Sequence, residues 1–599
     1  MQSHYNQSWN LNTIFKGGSE SESFQRYIEA LIENLNKLDV EVRKMKIPVQ
    51  INESVALEKI VDLLGVATKQ LSEMSAYISC LSAQDVNDKE ARILIGKRNE
   101  LSAKYATTLT MFDNKLVLIS DDVWQQLLSQ PKLAELTFVL NERRNLSKDK
   151  LPAEQEVLIN DLAIDGYHAW EELYDTIVGR MSISFKKGDT EESLSVGQAE
   201  NKLSDPNRQV RKEMFEALGL AWTKESDLFS ETLNHLGGFR LQTYKHRGWD
   251  SILKEPLTYN RMSEKTLYAM WEAITNNKTA FVSYLKRKAN ILGLKKLSWY
   301  DLEAPLSQTE TTVDYDDAAR TIVEQFNRFS TKMASFAQTA FDKQWIEAED
   351  RPGKRPGGFC TSFPDSKQTR IFMTYSGSAS SVATLAHELG HGYHQHVMDE
   401  LDILNQNYAM NVAETASTFA EMIIADAAVK NAVNPQEKIA LLEDKIQRSV
   451  AFFMNIHARF LFETSFYEER KKGIVSTEKL NNLMEQAQQE AFCGELDTYN
   501  PTFWASKLHF HITDVPFYNF PYTFGYLFSL GIYANAINSK DDFETVYNEL
   551  LKDTGRMNVE ELAEKHLNVK LDELDFWEKG IQLCIADVEE FLRLTENYI

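Results

Sequence analysis

Proline and glycine are scarce in this chain of 599 residues: 13 and 25 respectively, against the ~5% and ~7% usual for globular proteins. So few backbone breakers exclude a turn-rich sandwich or barrel and predict long uninterrupted elements. Cysteine is scarcer still. Cys80, Cys360, Cys493 and Cys584 are widely separated and form no CxxC, which excludes a disulfide framework or a cysteine-based zinc module and fits a reducing compartment. Basic residues are outnumbered, 65 Lys and Arg against 88 Asp and Glu. The net charge of −23 argues against nucleic acid or an anionic membrane as partner. A long apolar run is also missing. The most apolar stretch, VAFFMNIHARFLF from Val450, is interrupted by Asn455, His457 and Arg459 and is too short to span a bilayer. The opening MQSHYNQSWNLNTIF has neither the basic nor the apolar region of a secretory signal. A cytoplasmic protein with no membrane partner is the expectation.

What the chain has is helical periodicity. In SESFQRYIEALIENLNKL the residues Phe24, Tyr27, Ile28, Leu31, Ile32, Leu35 and Leu38 recur at helical spacing, and similar patterns fill the first third. RMSISF, Arg180–Phe185, alternates like a strand and precedes the polar KKGDTEES, so a hairpin turn or segment boundary is expected near residue 190. This divides the chain into an N-terminal helical region, 1–190, and a catalytic domain, 191–599. A second break falls in LSWYDLEAPLSQTETTVDYDD. Glycine and proline cluster in EDRPGKRPGGF, and TRIFMTYSG reads as a strand in an otherwise helical chain. Ser378, Ser380 and Ser381 are candidate N-caps for the helix that follows.

That helix carries TLAHELGHGYHQHV, Thr384–Val397, with four of the chain's twelve histidines. At 100° per residue His387 and His391 share a face one turn apart and can reach one ion. His394 also lies on that face but ~10 Å from His387 along the axis, too far to close on an ion held at ~2.1 Å. His396 points elsewhere. Glu388 sits beside the first ligand, where its carboxylate can take a proton from an activated water. The pattern is H-E-x-x-H. Three residues after the second histidine a metzincin would have glycine, and three further on another histidine. His394 and Val397 stand there instead, so the third ligand must come from elsewhere. Asp399, Glu400 and Asp402 would have to fold back sharply from the helix exit. NYAMNVAETASTFAEMIIADAAVKN has helical periodicity, and Glu414 and Glu421, seven apart, share a face. Small neighbours (Ala413, Thr415, Ala416, Ser417) allow close helix approach around Glu414. Glu414 is therefore the expected third ligand, and Glu421 the carboxylate that orients a ligand histidine. Two histidines, one carboxylate and an open fourth position describe a catalytic zinc, one per chain.

These residues resemble oligoendopeptidase F, a branch of the thimet oligopeptidase family of zinc metallopeptidases. The likeness rests on TLAHELGHGYHQH, on VAETASTFAE beginning 21 residues after His391, and on PFYNFPYTFGYLFSLG, with weaker echoes in YDLEAPL and GKRPGGF. The resemblance implies a mainly α, two-lobed helical body with a deep substrate channel, and endopeptidase action on short unstructured peptides. It implies His387, His391 and Glu414 as ligands and Glu388 as general base. It also implies tyrosine and histidine transition-state donors within HFHITDVPFYNFPYTFGY. His509, His511, Tyr518, Tyr522 and Tyr526 compete there, with His511 and Tyr518, then Tyr526, favoured. The strand TRIFMTYSG offers backbone for an extended peptide, so Phe372, Thr374, Tyr375 and Gly377, with Tyr522, are the candidate substrate contacts. Alternatives from the same residues are a metallocarboxypeptidase or aminopeptidase on the same zinc site, and a catalytically silent peptide-binding protein. Oligomeric state is left open.

Overall fold

The computed structural model describes residues 4–187, 190–306, 312–538 and 543–598. The architecture is mainly α, with two small sheets. Most helices are amphipathic and are stopped by local capping rather than by proline. The helix Glu22–Lys44 begins at Ser21, whose side chain accepts from the Phe24 amide, and it buries Phe24, Ile28, Leu31, Leu35, Leu38 and Val42. That stripe, spaced three and four residues apart, faces the helices Ser54–Gln84 and Lys89–Val117. Among the described residues no helix is long and apolar enough to cross a membrane.

Two large apolar cores organise the chain, with a small third cluster at Ala163, Tyr167 and Leu236. The first draws on residues from Trp9 to Leu140, together with Phe363 and Phe372. The second is larger and runs from Tyr174 to Phe591, with Tyr5 added from the N-terminus. The chain therefore passes from one core to the other between Leu140 and Tyr174, earlier than the composition change near residue 190. The two cores also exchange pieces. The hairpin carrying Phe363 and Phe372 lies far along the sequence, yet its phenylalanines are buried in the first core.

The hairpin expected near residue 190 is present as β1 (Ile183–Lys187) paired antiparallel with β2 (Thr190–Leu194), in register Ile183↔Leu194. Its turn at Gly188 lies outside the described residues. The second sheet contains β3 (Ile346–Glu347), β4 (Phe359–Phe363) and β5 (Gln368–Phe372), in the order β3-β5-β4. TRIFMTYSG thus contributes the central strand, and the ladder ends at Phe372, sooner than the apolar pattern implied. The outer side of β3 is covered by the N-terminal segment, where the Ala348 amide donates to the Gln7 carbonyl at 2.7 Å. That leaves β4 as the open edge, and Phe359 to Ser362 along it are half-buried.

Candidate metal centre

Immediately after this sheet comes the motif helix, Ala379–Met398. Ser378 is its N-cap, accepting from the Ser381 amide. The carboxylate-bearing helix, Met410–Asn431, packs along it. Contact between the two is close to backbone on backbone. A Cβ on Gly390 would lie 2.5 Å from the Ala416 carbonyl oxygen and 2.6 Å from Ser417 Cα, so only glycine permits this spacing. A third helix, Phe520–Asn538, presses on the other side. There a Cβ on Gly525 would stand 2.9 Å from the Asn411 carbonyl oxygen and 3.0 Å from Glu414 Cβ. Small residues at the crossings are what bring the three helices near enough for their polar side chains to meet.

They meet at Glu414. Its Oε2 is 3.3 Å from His387 Nε2 and 3.5 Å from His391 Nε2. Bonds of ~2.1 Å to a tetrahedral ion put ligand atoms about 3.4 Å apart, so this spacing fits a metal held by these three groups. No other described set of His, Cys, Asp and Glu has candidate ligand atoms that converge in this way. The ligand side chains keep 21–26% exposure, which leaves a path for solvent and substrate. Burial depresses His391 to about 4 against the pull of Glu414. Its ring is therefore neutral near pH 7, the state in which imidazole binds metal. Glu414 is pushed up by burial, but His387, His391 and Ser417 outweigh that and hold it at about 2, ionised. Ser417 Oγ donates to Glu414 Oε2 at 2.8 Å.

Behind the ligands lies a second layer. His387 Nδ1 is 3.4 Å from Glu421 Oε2, and the other Glu421 oxygen is ion-paired with Arg448. His391 makes a hydrogen bond to the backbone of Ala413. Each imidazole is thus turned so that one nitrogen faces Glu414. Arg448 carries no motif and was not anticipated; it arrives from the helix Pro435–Val450.

Glu388 is 7% exposed, and its Oε2 has no hydrogen-bond partner. Burial drives its pKa up to about 7, with His387 opposing and Glu414 adding. A buried carboxyl with a free oxygen is poised to exchange a proton near neutrality. Its neighbour on the sheet side is Gly358, at the start of β4, where a Cβ would come within 3.4 Å of Glu388 Oε1.

The remaining histidines of the motif helix are accounted for otherwise. His394 is fully buried, stacks on Tyr408 at 4.2 Å, and hydrogen-bonds Thr554 Oγ1 at 2.9 Å. His396 pairs with Asp399 at 3.2 Å. Glu400 is engaged by Lys367 at 2.7 Å, and Asp402 caps the Leu404 amide at 2.9 Å. None of these carboxylates turns back to the imidazole pair.

The donor segment departs from expectation. His511 is fully buried, with its ring stacked on Tyr174 at 4.0 Å and its Nδ1 3.3 Å from Thr232 Oγ1. Tyr526 is buried against Phe452 and directs its hydroxyl to Ser449 at 2.9 Å. Both side chains are buried in the core, His511 with its Nε2 unpartnered. His509, Tyr518 and Tyr522 instead form a half-exposed cluster, with ring centroids 5.4 Å apart for His509–Tyr518 and 5.7 Å for Tyr518–Tyr522. Burial and the Tyr518 hydroxyl raise Tyr522, and the charge of Glu414 is near enough to contribute. Tyr522 stands one helical turn before Gly525, which packs against Glu414, so the cluster lies close to the metal centre. Burial, then Arg459 and Lys507, bring His509 down to about 4, so it is neutral.

In the expected substrate strand, β5 has partners on both sides as far as Phe372 and offers no free backbone there. Phe372 is wholly buried in the first core. Thr374 is exposed beyond the ladder. Tyr375 donates its hydroxyl to the Val313 carbonyl at 2.9 Å. Gly377 adopts φ +79°, and its carbonyl accepts from the Val313 amide. The open backbone beside Glu388 belongs to β4.

Residues 202–583 match the family model for peptidase family M3, and residues 115–182 match an oligopeptidase F model. The chain is 22% identical over 603 residues to an oligoendopeptidase F homolog of Lactococcus lactis subsp. lactis, covering 98% of this chain and 97% of that one. It is 23% identical over 562 residues to the group B oligopeptidase PepB of Streptococcus agalactiae, covering 91% and 90%. The crystal structure of oligoendopeptidase-F from Enterococcus faecium superposes with a TM-score of 0.68 at 17% identity, over 97% of this chain and all of that one.

Proposed function

The chain belongs to peptidase family M3, and from that premise we propose that it is a zinc-dependent endopeptidase cleaving internal bonds of short unstructured peptides. The observation that carries the reading is the convergence of His387, His391 and Glu414 at metal-ligand spacing beside a buried carboxyl, Glu388, whose Oε2 has no partner. Zinc held by those three residues would supply a Lewis acid for the scissile carbonyl and for the attacking water.

The protein's own groups do the rest. Glu388 takes the proton from the attacking water and passes it to the leaving amine, and its position near neutrality suits both transfers. His509, Tyr518 and Tyr522 donate hydrogen bonds to the oxygen that gains charge. A preorganised donor of this kind is worth ~3 kcal/mol. Glu421, backed by Arg448, fixes the His387 ring. The β4 edge pairs with the extended substrate through backbone hydrogen bonds, which ignore side-chain identity and so favour broad sequence tolerance.

The test is metal analysis together with mass spectrometry of the products from a nonapeptide blocked at both ends, before and after chelation. One zinc per chain and internal cuts that vanish on chelation are expected. Zinc binding with cleavage only of peptides bearing free termini would replace the endopeptidase by an exopeptidase. Peptide retention without cleavage would leave a binding protein.

A further inference from the structure

Beside the donor cluster lies a cavity of about 610 Å³ whose walls include Trp222, Trp299, Phe503, Arg459 and Lys507. Two cations flank one ring there. The Arg459 guanidinium is 5.2 Å from the Phe503 ring centroid, and Lys507 Nζ is 5.1 Å from the same point. Arg459 is held in place by neutral acceptors: its Nε donates to Asn455 Oδ1 at 2.9 Å and its Nη1 to Asn519 Oδ1 at 3.0 Å. Among the described residues neither cation forms an ion pair within 4.0 Å. Nearly every other Arg or Lys in the interior has a carboxylate, a carbonyl or a tyrosine hydroxyl. Arg211 has Asp301, Lys288 has Glu443 and Arg240 has Tyr167. Glu200 and Glu303 also line the cavity and exert their charge on Lys507, but from beyond pairing distance.

The location gives the unpaired charges meaning. Asn519, the anchor of Arg459, directly follows Tyr518. Arg459 is close enough to lower His509 and to act on Tyr522, and Tyr522 is close enough to feel Glu414. Tyr522 also stands one helical turn before Gly525, which packs against Glu414, and three residues after Asn519, which holds Arg459, so the path from the metal centre through Tyr522 to Arg459 is short. Asn455 ends a π-helical turn, Ala451–Asn455, between two regular helices. That irregularity carries Asn455 to the shared wall of this cavity and a second of about 370 Å³, whose wall also holds Arg448. The pair thus lines a cavity that shares a wall with the one holding Arg448, the ion-pair partner of Glu421.

We propose that Arg459 and Lys507 form a carboxylate-binding subsite that grips the peptide substrate and fixes which bond reaches the metal centre. A guanidinium fork presents paired N–H donors to a carboxylate, and a lysine beside it adds a compact charge. Trp222, Trp299 and Phe503 would cover the apolar part of the residue that bears the group. The carboxylate comes either from the peptide C-terminus or from an acidic side chain. The subsite rests on the peptidase reading and specifies its substrate class.

The test uses the zinc-loaded full chain and a nonapeptide library made in four forms: free acid or C-terminal amide, each with Asp and Glu present or replaced by Asn and Gln. The wild-type protein should cleave carboxylate-bearing members at least about tenfold more efficiently than neutral ones, mainly through KM. Which replacement abolishes the preference identifies the source. Lys507→Gln and Arg459→Gln should bring the ratio to within about twofold, and Arg459→Lys should restore part of it. Equal cleavage of all four forms by the wild-type protein overturns the subsite and leaves the peptidase reading intact. Retention of the library by the Glu388→Gln protein tests binding without turnover. Selective retention with no wild-type cleavage rejects the peptidase reading and keeps the subsite.

Discussion

The candidate ligand triad and the candidate donor cluster lie close together, yet they are built differently. His387, Glu388, His391 and Glu414 ride on two long helices locked together at Gly390. His509, Tyr518 and Tyr522 come from a short 3₁₀ turn, a loop and the first turn of another helix. The first arrangement is rigid because backbone touches backbone. The second depends on side-chain packing, with Phe517 in a left-handed conformation at φ +54° helping to turn the chain. A centre that must hold an ion at fixed distances uses helices. One that must only offer hydrogen bonds to a developing charge can use a loop.

Five substitutions test that contrast. Glu388→Gln should cost about 10³-fold or more in turnover while metal analysis still returns one equivalent, because the ligands are untouched. Glu414→Ala should remove a ligand and empty the site: at micromolar zinc the metal content falls below half an equivalent, and activity falls with it. On the loop side, His509→Ala should lower kcat by about 10²-fold with KM and metal content unchanged. His511→Ala instead should lower Tm while activity per folded molecule stays within about twofold. If those two outcomes are exchanged, the donor assignment is reversed. The smallest expected effect is Gly390→Ala, where overpacking between the helices costs about 1–3 kcal/mol, read in Tm. Loss of metal in that variant beyond the loss of stability would strengthen the claim that helix spacing sets the ion site.

The same contrast explains what could be read from residues alone. On a helix the angular repeat is fixed, so His387 and His391 share a face whatever surrounds them, and His394 is excluded by rise alone. Glu414 was legible because small residues cluster around it and close approach needs them. The loop has no such rule. His509 and His511 are two residues apart around a single 3₁₀ turn, Leu508–Phe510, so they face different directions. Which of them meets the cavity depends on Tyr174 and Thr232, more than 270 positions earlier in the chain. Strand order was hidden for a related reason. TRIFMTYSG has the apolar pattern of a buried strand, but whether a neighbour covers its second edge depends on Phe359–Phe363 and on the β3 segment. Periodicity likewise carries no mark of the switch between cores after Leu140, because it shows which residues share a helix face and not which core that face meets.

The β4–β5 hairpin has a mechanical consequence. Phe363 beside its turn and Phe372 at its open end both root it among the N-terminal helices, and Gly358, next to Phe372, borders Glu388. The hairpin also packs on the motif helix, so the N-terminal core is tied through it to the backbone beside Glu388, and a change in how those helices pack reaches the site.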